Sequence, residues 1–486
     1  MSHVVTESCC NDASCVYACP VNCIHPTPDE ADYHTAEMLY IDPAACVDCG
    51  ACVAACPVGA IKPHTELDDS RQVFLSVNAE FYREPRSRPL LAPFVPPLTV
   101  STRHAPLRVA IVGSGPAGMY TAEELLTVAD VRVDLFERLD APYGLARFGV
   151  APDHREVRKI LRLFDRIRDD PRVRVLCGVE IGRDRTYADL AATYDAVVYA
   201  VGAVGRRLDI PGSASAGVAS APDFAAWYNG HPALKNRVFD LWHPRVVIIG
   251  NGNVALDVAR ILVTDPERLA STSISPYALD TLRRSGVEEV VVVGRRGPAD
   301  AVYTLAELIG LQSNSEVDFV VAAEELAREQ RPDARVELLR KVSARSEPSR
   351  GDRPRRIVLR HHLSPTRITH TGQISHVEFR RTGPTAAEQV ESISAGLILT
   401  AIGHHGRSVA GLPFDHAAGV VPNEHGRVVD PAHRRIVTGT YVVGWIKRGP
   451  TGFIGTNKTC AQETVRALID DYNAGKLTGA ARELTV

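Results

Sequence analysis

Over most of its 486 residues the chain is poor in cysteine: nine of eleven fall between positions 9 and 56, and only Cys177 and Cys460 lie elsewhere. The first residues, MSHVVTESCCND, lack both a basic start and an apolar core, so they do not read as a secretory signal. No apolar run approaches the roughly 20 residues needed to span a bilayer. A cytoplasmic chain is therefore expected, and there clustered thiols point to metal rather than disulfides. Charge is lacking too: a net −3 gives no bulk reason to expect nucleic acid or a membrane as partner. At about 150 residues per domain, three domains are expected.

What is present begins with the cysteines. Cys46, Cys49, Cys52 and Cys56 stand as CVDCGACVAACP. Three thiolates at C-x-x-C-x-x-C spacing wrap one iron–sulfur cluster, and the fourth, followed by Pro57, reaches a different one. Zinc usually takes two C-x-x-C knuckles that close on themselves, which this is not. Cys15, Cys19 and Pro20 repeat the C-x-x-x-C-P half. The crossing rule gives Cys19 to Cys46, Cys49 and Cys52. It leaves Cys15 and Cys56 a second cluster, with Cys9 or Cys10, of which Cys9 is the expected ligand. Residues 4–62 resemble bacterial two-cluster ferredoxins, especially the seven-iron type. The resemblance implies one [4Fe-4S] cluster and a second that is [3Fe-4S] or [4Fe-4S]. The spacing before Cys15 is shorter than in that family. Cys23 is either a spare buried thiol or a further ligand.

Between about 65 and 106 come Pro85, Pro89, Pro93, Pro96, Pro97 and Pro106. Such density disfavours helix and internal strand, and predicts an extended strap. Residues 107–112 are then a short run rich in Val and Ile, the composition of a buried parallel strand. Gly113, Gly115 and Gly118 follow at G-x-G-x-x-G spacing, with Ala117 in the same turn and a helix-forming stretch after it. The first glycine serves a tight turn, the second the approach of a pyrophosphate, and the third close helix–strand packing. A second strand, 131–136, ends in Glu137, where an acid binds ribose hydroxyls. A dinucleotide site is expected.

The motif PYGLARFGVAPDH (142–154) resembles the adrenodoxin-reductase type of NADPH–ferredoxin reductase, as does GWIKRGPTGFIGTNK (444–458). The resemblance spans about 107–477. It implies FAD contacts by Leu145, Ile181 and Trp445, and by the backbone of Gly452, Phe453 and Ile454. It places Asp153 and His154 near the flavin and nicotinamide rings, His154 with a proton-handling role. It also implies pyrophosphate contacts by Asn251, Gly252, Asn253 and Val254, and cofactor contacts by Glu307 and by Arg206 or Arg207.

The second nucleotide unit is legible without the family. Strand 245–250 runs into GNGNVA, the G-x-G-x-x-A form of the phosphate turn. At the end of the next strand, 287–293, stand Arg295 and Arg296 in place of an acid. Arginines there take the extra phosphate of NADPH through charge-assisted bonds.

The expected fold is α/β: two Rossmann-like dinucleotide-binding domains, one inserted in the other, plus a small α+β ferredoxin-like N-terminal domain. The expected boundaries are 1–64 for the ferredoxin part and 65–106 for the linker. FAD would bind to 107–212 and 395–486, and NADP to 213–394. The expected function is a ferredoxin–NADP reductase, moving electrons from NADPH through FAD to its own clusters. The acceptor would be a small electron-carrier protein or a monooxygenase. Two rivals are an electron-input subunit resembling the small subunit of glutamate synthase and a redox sensor without turnover.

Overall fold

The computed structural model describes residues 2–84, 89, 94–100, 106–312, 317–327, 329–345, 355–383 and 389–477. Pro85 and Pro93 of the expected strap, and residues 478–486 of the expected FAD part, lie outside the described residues. The chain divides into two compact units. The first comprises 1–147, 156–204 and 404–486, and the second 148–155 and 205–403.

The first unit is built on a seven-stranded sheet. Its parallel centre runs Tyr441 beside Val198, strand Ala196–Tyr199 beside Leu107–Val112, and Leu107–Val112 beside Val131–Glu137 and then Val173–Cys177. Strand Leu107–Val112 is buried at every position but Arg108, as a central parallel strand must be. Helices Pro116–Leu126 and Thr456–Asn473 pack on each other over one face, in a core that includes Tyr120, Ala461 and Val465.

The cysteine-rich segment belongs to the same unit. Strand His3–Val5 pairs antiparallel with Ile61–Pro63, and Ile24–His25 pairs with Tyr40–Ile41. Short helices Ser14–Ala18 and Ala51–Ala55 each follow a residue in the left-handed region, Ala13 and Gly50. The expected strap is corrected in part: Val73–Glu80 is a helix. No proline stands between Pro63 and Pro85, so nothing in that interval forbids one. Its buried Asn78 ties two strands together. Oδ1 accepts from the N–H groups of Val5 and Ile41 at 3.2 and 3.0 Å, and Nδ2 donates to the Val5 carbonyl at 2.8 Å.

The second unit holds a six-stranded sheet in the order Val218–Ser220, Leu397–Thr400, Arg245–Ile249, Glu289–Val293, Arg356–Arg360, Asp318–Val321, with every pairing parallel. Strands Leu363–Thr371, Ile374–Arg381 and Val390–Ala395 form a separate antiparallel sheet. Among the described residues no helix is long and apolar enough to cross a membrane.

Candidate functional site

The first phosphate turn has the form its glycines predict. Gly113 has φ +104°, and a Cβ on Gly118 would lie 2.0 Å from the Gly113 carbonyl oxygen, so helix and turn are in direct backbone contact. At Gly115 an added Cβ would meet no protein atom within 4 Å, which leaves the helix start open to a ligand. Ala117 is buried behind it. Glu137 is buried, and its carboxylate accepts from Ser114 N and Oγ (3.1 and 2.7 Å) and Leu139 N (3.0 Å). This fixes the acid at the end of its strand.

Other expected flavin contacts converge on that turn. Tyr143 N donates to Ser114 O at 3.0 Å, which fixes the start of the short helix Gly144–Phe148, with its exposed Leu145, beside the turn. A Cβ on Gly444, next to Trp445, would lie 2.6 Å from Ala117 Cβ. Trp445 Nε1 donates to Thr451 O at 3.0 Å, closing the loop that carries Gly452. Phe453 N donates to Thr456 Oγ1 at 3.0 Å, and Asn457 Nδ2 to Ile454 O at 2.9 Å, so both residues are held at the start of an 18-residue helix. Ile181 sits in a bridge with Arg185 and packs against the apolar core that includes Val112 and Phe136.

In the second unit Gly250 turns with φ +117°, and helix Asn253–Val263 begins after Gly252. Asn253 is pinned, its Oδ1 accepting from Thr304 N at 2.9 Å. The Asn251 Nδ2 is buried against Gly294 without a hydrogen-bond partner among the described residues. Val254 is half-buried against the core. Arg295 and Arg296 are exposed at the end of strand Glu289–Val293, and Arg207 is exposed elsewhere on the unit.

Asp153, His154 and Glu307 meet in one charged cluster, joined by two residues that motif reading missed. Arg260 donates from Nε to Asp153 (2.7 Å), from Nη1 to Glu307 (2.6 Å) and from Nη2 to Asp257 (2.5 Å). His154 Nε2 lies 2.7 Å from the same Asp257 oxygen, 3.5 Å from Glu307 and 2.6 Å from Arg260 Nη2. Burial and the neighbouring Arg260 disfavour a charged imidazole, but Asp257 and Glu307 outweigh them and hold His154 well above the usual histidine value. Burial likewise opposes ionisation of Glu307 and Asp153. The cations overcome it: His154 and Arg260 hold Glu307 low, and Arg260 holds Asp153 low. Asp257 is pushed up by burial and by Glu307. The guanidinium stands where a metal bound by His154, Asp257 and Glu307 would need room. The available signal was the pair Asp257 and Arg260, charges at i,i+3 on a helix otherwise largely buried and apolar.

All eleven cysteines are free. Cys19, Cys46, Cys49 and Cys52 line one small pocket, as the crossing rule requires, and Cys23 lines it too with its sulfur 3.4 Å from that of Cys19. Cys15 is buried, and burial raises its thiol, with Asp12, Cys9, Cys56 and Cys52 adding to the effect. Burial pushes Cys9 up to about 12 and Cys52 up to about 11, and raises Cys56. Thiols crowded and buried in this way form anions only beside a compensating cation. An iron–sulfur core supplies one, so the donor set fits. Cys10 is a buried member of the apolar core with Tyr120 and Ala461, and Cys9 and Cys56 pack against the edge of the same core.

That core is where the cysteine segment meets the rest of its unit. Gly455 N donates to Cys10 O at 2.7 Å, and Lys458 Nζ donates to Ser14 Oγ at 2.9 Å. Asp12 is buried beside them. Burial raises its carboxyl, while Lys458 and Ser14 draw it down.

Known proteins resemble the chain along the same lines. Residues 107–299 match the family described as pyridine nucleotide-disulphide oxidoreductase, and 39–62 match the 4Fe-4S binding domain. A probable ferredoxin/ferredoxin–NADP reductase of Mycobacterium bovis is 50% identical, over 98% of this chain and 85% of its own. The mitochondrial NADPH:adrenodoxin oxidoreductase of Arabidopsis thaliana is 38% identical, over 77% and 84%. The solved structure of Mycobacterium tuberculosis FprA in complex with NADPH is 40% identical, covers 78% of this chain and 87% of that one, and superposes with a TM-score of 0.71. With half of its residues shared across almost its whole length, and with both matched regions carrying the turns and thiols described above, the chain belongs to the ferredoxin/ferredoxin–NADP reductase family.

Proposed function

We propose that the chain takes electrons from NADPH through FAD to iron–sulfur clusters in its own N-terminal segment, and passes them to an external carrier protein or monooxygenase. When bound, the flavin accepts a hydride and gives up electrons one at a time, and the clusters carry them singly. The observation that carries this reading is the hydrogen bond from Gly455 N to Cys10 O, which joins the expected flavin segment to the cysteine loop within one compact unit.

The residues divide the work. Gly113, Gly115, Ala117 and Gly118 cradle the FAD pyrophosphate at a helix start, and Glu137 takes the ribose. Leu145, Ile181 and Trp445 flank the ring, and Gly452, Phe453 and Ile454 offer it backbone N–H groups. Asn251, Gly252, Asn253 and Val254 hold the NADPH pyrophosphate, Arg295 and Arg296 its extra phosphate, and Arg207 and Glu307 further parts. His154 is kept cationic by Asp257 and Glu307 against the opposing Arg260, its Nε2 facing the Asp257 carboxylate, while Arg260 keeps Asp153 ionised beside it. Cys19, Cys46, Cys49 and Cys52 would bind one [4Fe-4S] cluster. Cys9, Cys15 and Cys56 would bind the other, [3Fe-4S] or [4Fe-4S]. A cleft beside Cys56, lined by Lys159, Arg162, Arg166 and Lys458 against Asp12 and Glu123, has a basic excess that suits an acidic carrier.

Fusing donor and first acceptor raises their effective concentration. NADPH-dependent reduction of cytochrome c tests the reading. Turnover that disappears once the clusters are chelated, while ferricyanide reduction persists, supports it. Cytochrome c reduction indifferent to cluster loss counts against the path, and no NADPH oxidation at all would favour a sensor.

A further inference from the structure

The turn that carries Arg295 and Arg296 is backed by a third basic side chain. His362 stands just past strand Arg356–Arg360, the neighbour of the strand that ends before the arginines. Its N–H donates to the Arg296 carbonyl at 3.2 Å, and its own carbonyl accepts from Thr382 N at 2.8 Å. Thr382 Oγ1 in turn donates to the Arg295 carbonyl at 2.5 Å. The imidazole lies against Gly297, the residue after the pair: a Cβ there would fall 3.0 Å from Cε1 and 3.1 Å from Nε2. His362 is half-buried, whereas both arginines are exposed.

The charges around this ring are largely spoken for. Asp300, from the same turn, and Glu329, whose carboxylate also reaches Gly297, are both clamped by Arg331. Those four bonds measure 2.8 to 3.0 Å. Arg331 holds Glu329 down at about 2 and lowers Asp300, to which Arg296 and His362 also contribute. On the flanking strands Arg360 pairs with Glu325 and Glu391, and Arg381 with Glu391. Among the described residues no carboxylate lies within 4.0 Å of the guanidinium of Arg295 or Arg296. A basic turn whose neighbouring acids Asp300 and Glu329 are already paired with Arg331 is suited to a phosphate dianion.

We propose that His362 is a specificity-determining residue of this pocket: its protonated imidazole joins Arg295 and Arg296 in recognising the ribose 2′-phosphomonoester. Discrimination between 2′-phosphorylated and plain nucleotides then strengthens as the pH falls through the histidine range. The inference rests on the reading of the arginine pair as the 2′-phosphate site.

Isothermal titration of the full chain with 2′,5′-ADP and with 5′-AMP, at about pH 6 and about pH 8, tests it. The free 2′-phosphate titrates in the same range whichever variant it is offered to, so variants are compared with the unaltered chain at each pH. His362→Gln should weaken 2′,5′-ADP about fivefold or more at the lower pH, little at the higher pH, and 5′-AMP at neither. His362→Lys, a permanent cation, should keep tight binding at both. His362→Gln matching the unaltered chain at the lower pH, or losing both nucleotides equally, overturns the proposal, as does His362→Lys binding no better than His362→Gln. Arg295→Ala/Arg296→Ala separates the two readings. If that variant loses 2′,5′-ADP while His362→Gln does not, only the histidine proposal fails. If it loses nothing, the pocket assignment itself falls.

Discussion

Gly455 donates its backbone N–H to the carbonyl of Cys10 at 2.7 Å, and this bond ties the cysteine loop to the first turn of the helix Thr456–Asn473. Backbone groups cannot be repacked by a rotamer change, so the contact sets where the loop sits. Lys458, one turn on, reinforces it through Ser14 Oγ at 2.9 Å and lies 3.7 Å from Glu123. The expected electron donor and first acceptor are thereby held in a fixed relation rather than on a floating tether.

Lys458→Ala removes the side-chain half of that seam and leaves buried Asp12 without its cation. In anaerobic stopped-flow, flavin bleaching by NADPH should keep its rate. The later absorbance loss from the clusters should slow by about threefold or more as the fixed juxtaposition loosens. Equal slowing of both phases, or of neither, would show that the seam does not govern the transfer.

Cys9 and Cys10 are adjacent in sequence but face different surroundings. Burial raises both thiols. Cys56 bears on both, and both touch the same apolar core, but Cys10 is a buried member of it whereas Cys9 is only half-buried at its edge. Cys9→Ser should lower the iron content by about one cluster, whereas Cys10→Ser should keep both clusters and cost stability alone, about 1 kcal/mol for a buried polar swap. Iron and acid-labile sulfide analysis after anaerobic purification reads the difference. The opposite pattern would reassign the ligand.

The Asp153–His154–Asp257–Arg260–Glu307 cluster has a pH signature. The folded value of His154 lies above its unfolded value, so its contribution to stability is complete below about pH 6.5 and fades as the pH rises through the folded value. The Tm difference between the native chain and His154→Gln should therefore be largest in mild acid and shrink in alkali. Arg260→Met leaves three carboxylates facing one histidine and should cost about 3–5 kcal/mol at neutral pH. Thermal unfolding followed by fluorescence checks both, and a pH-independent His154→Gln difference would contradict the assignment.

Replacing Arg295 and Arg296 together by Ala should raise the KM for NADPH about tenfold or more and leave NADH use nearly intact, since only the former carries the extra phosphate. Steady-state kinetics with the two cofactors measures it. Equal losses for both would mean the pair serves the fold instead.

What could be read from the chain was whatever is encoded locally. The turn at Gly113, Gly115 and Gly118 is set by contacts within six residues, so spacing alone revealed it, down to the 2.0 Å approach that only a glycine tolerates at position 118. The expected cysteine ligands are recognised by fixed spacings for the same reason. Arg260 escaped notice because its partner Asp153 is 107 positions away, and Lys458 because Ser14 is 444 positions away. Such pairs exist only once the sheet and helices have brought the segments together. Helix Val73–Glu80 was obscured differently. The prolines from Pro85 onward coloured the whole stretch, although the helix lies before them and is anchored by Asn78 to strands far away in sequence.

The most direct measurement is made on chain purified without oxygen: bound flavin, iron and sulfide are quantified, and electron paramagnetic resonance spectra are taken before and after stoichiometric NADPH. The account predicts one FAD per chain, iron for two clusters, and a reduced-cluster signal that appears on adding NADPH alone. Flavin that bleaches while the cluster spectrum stays unchanged would contradict it, as would a chain that holds iron but no flavin.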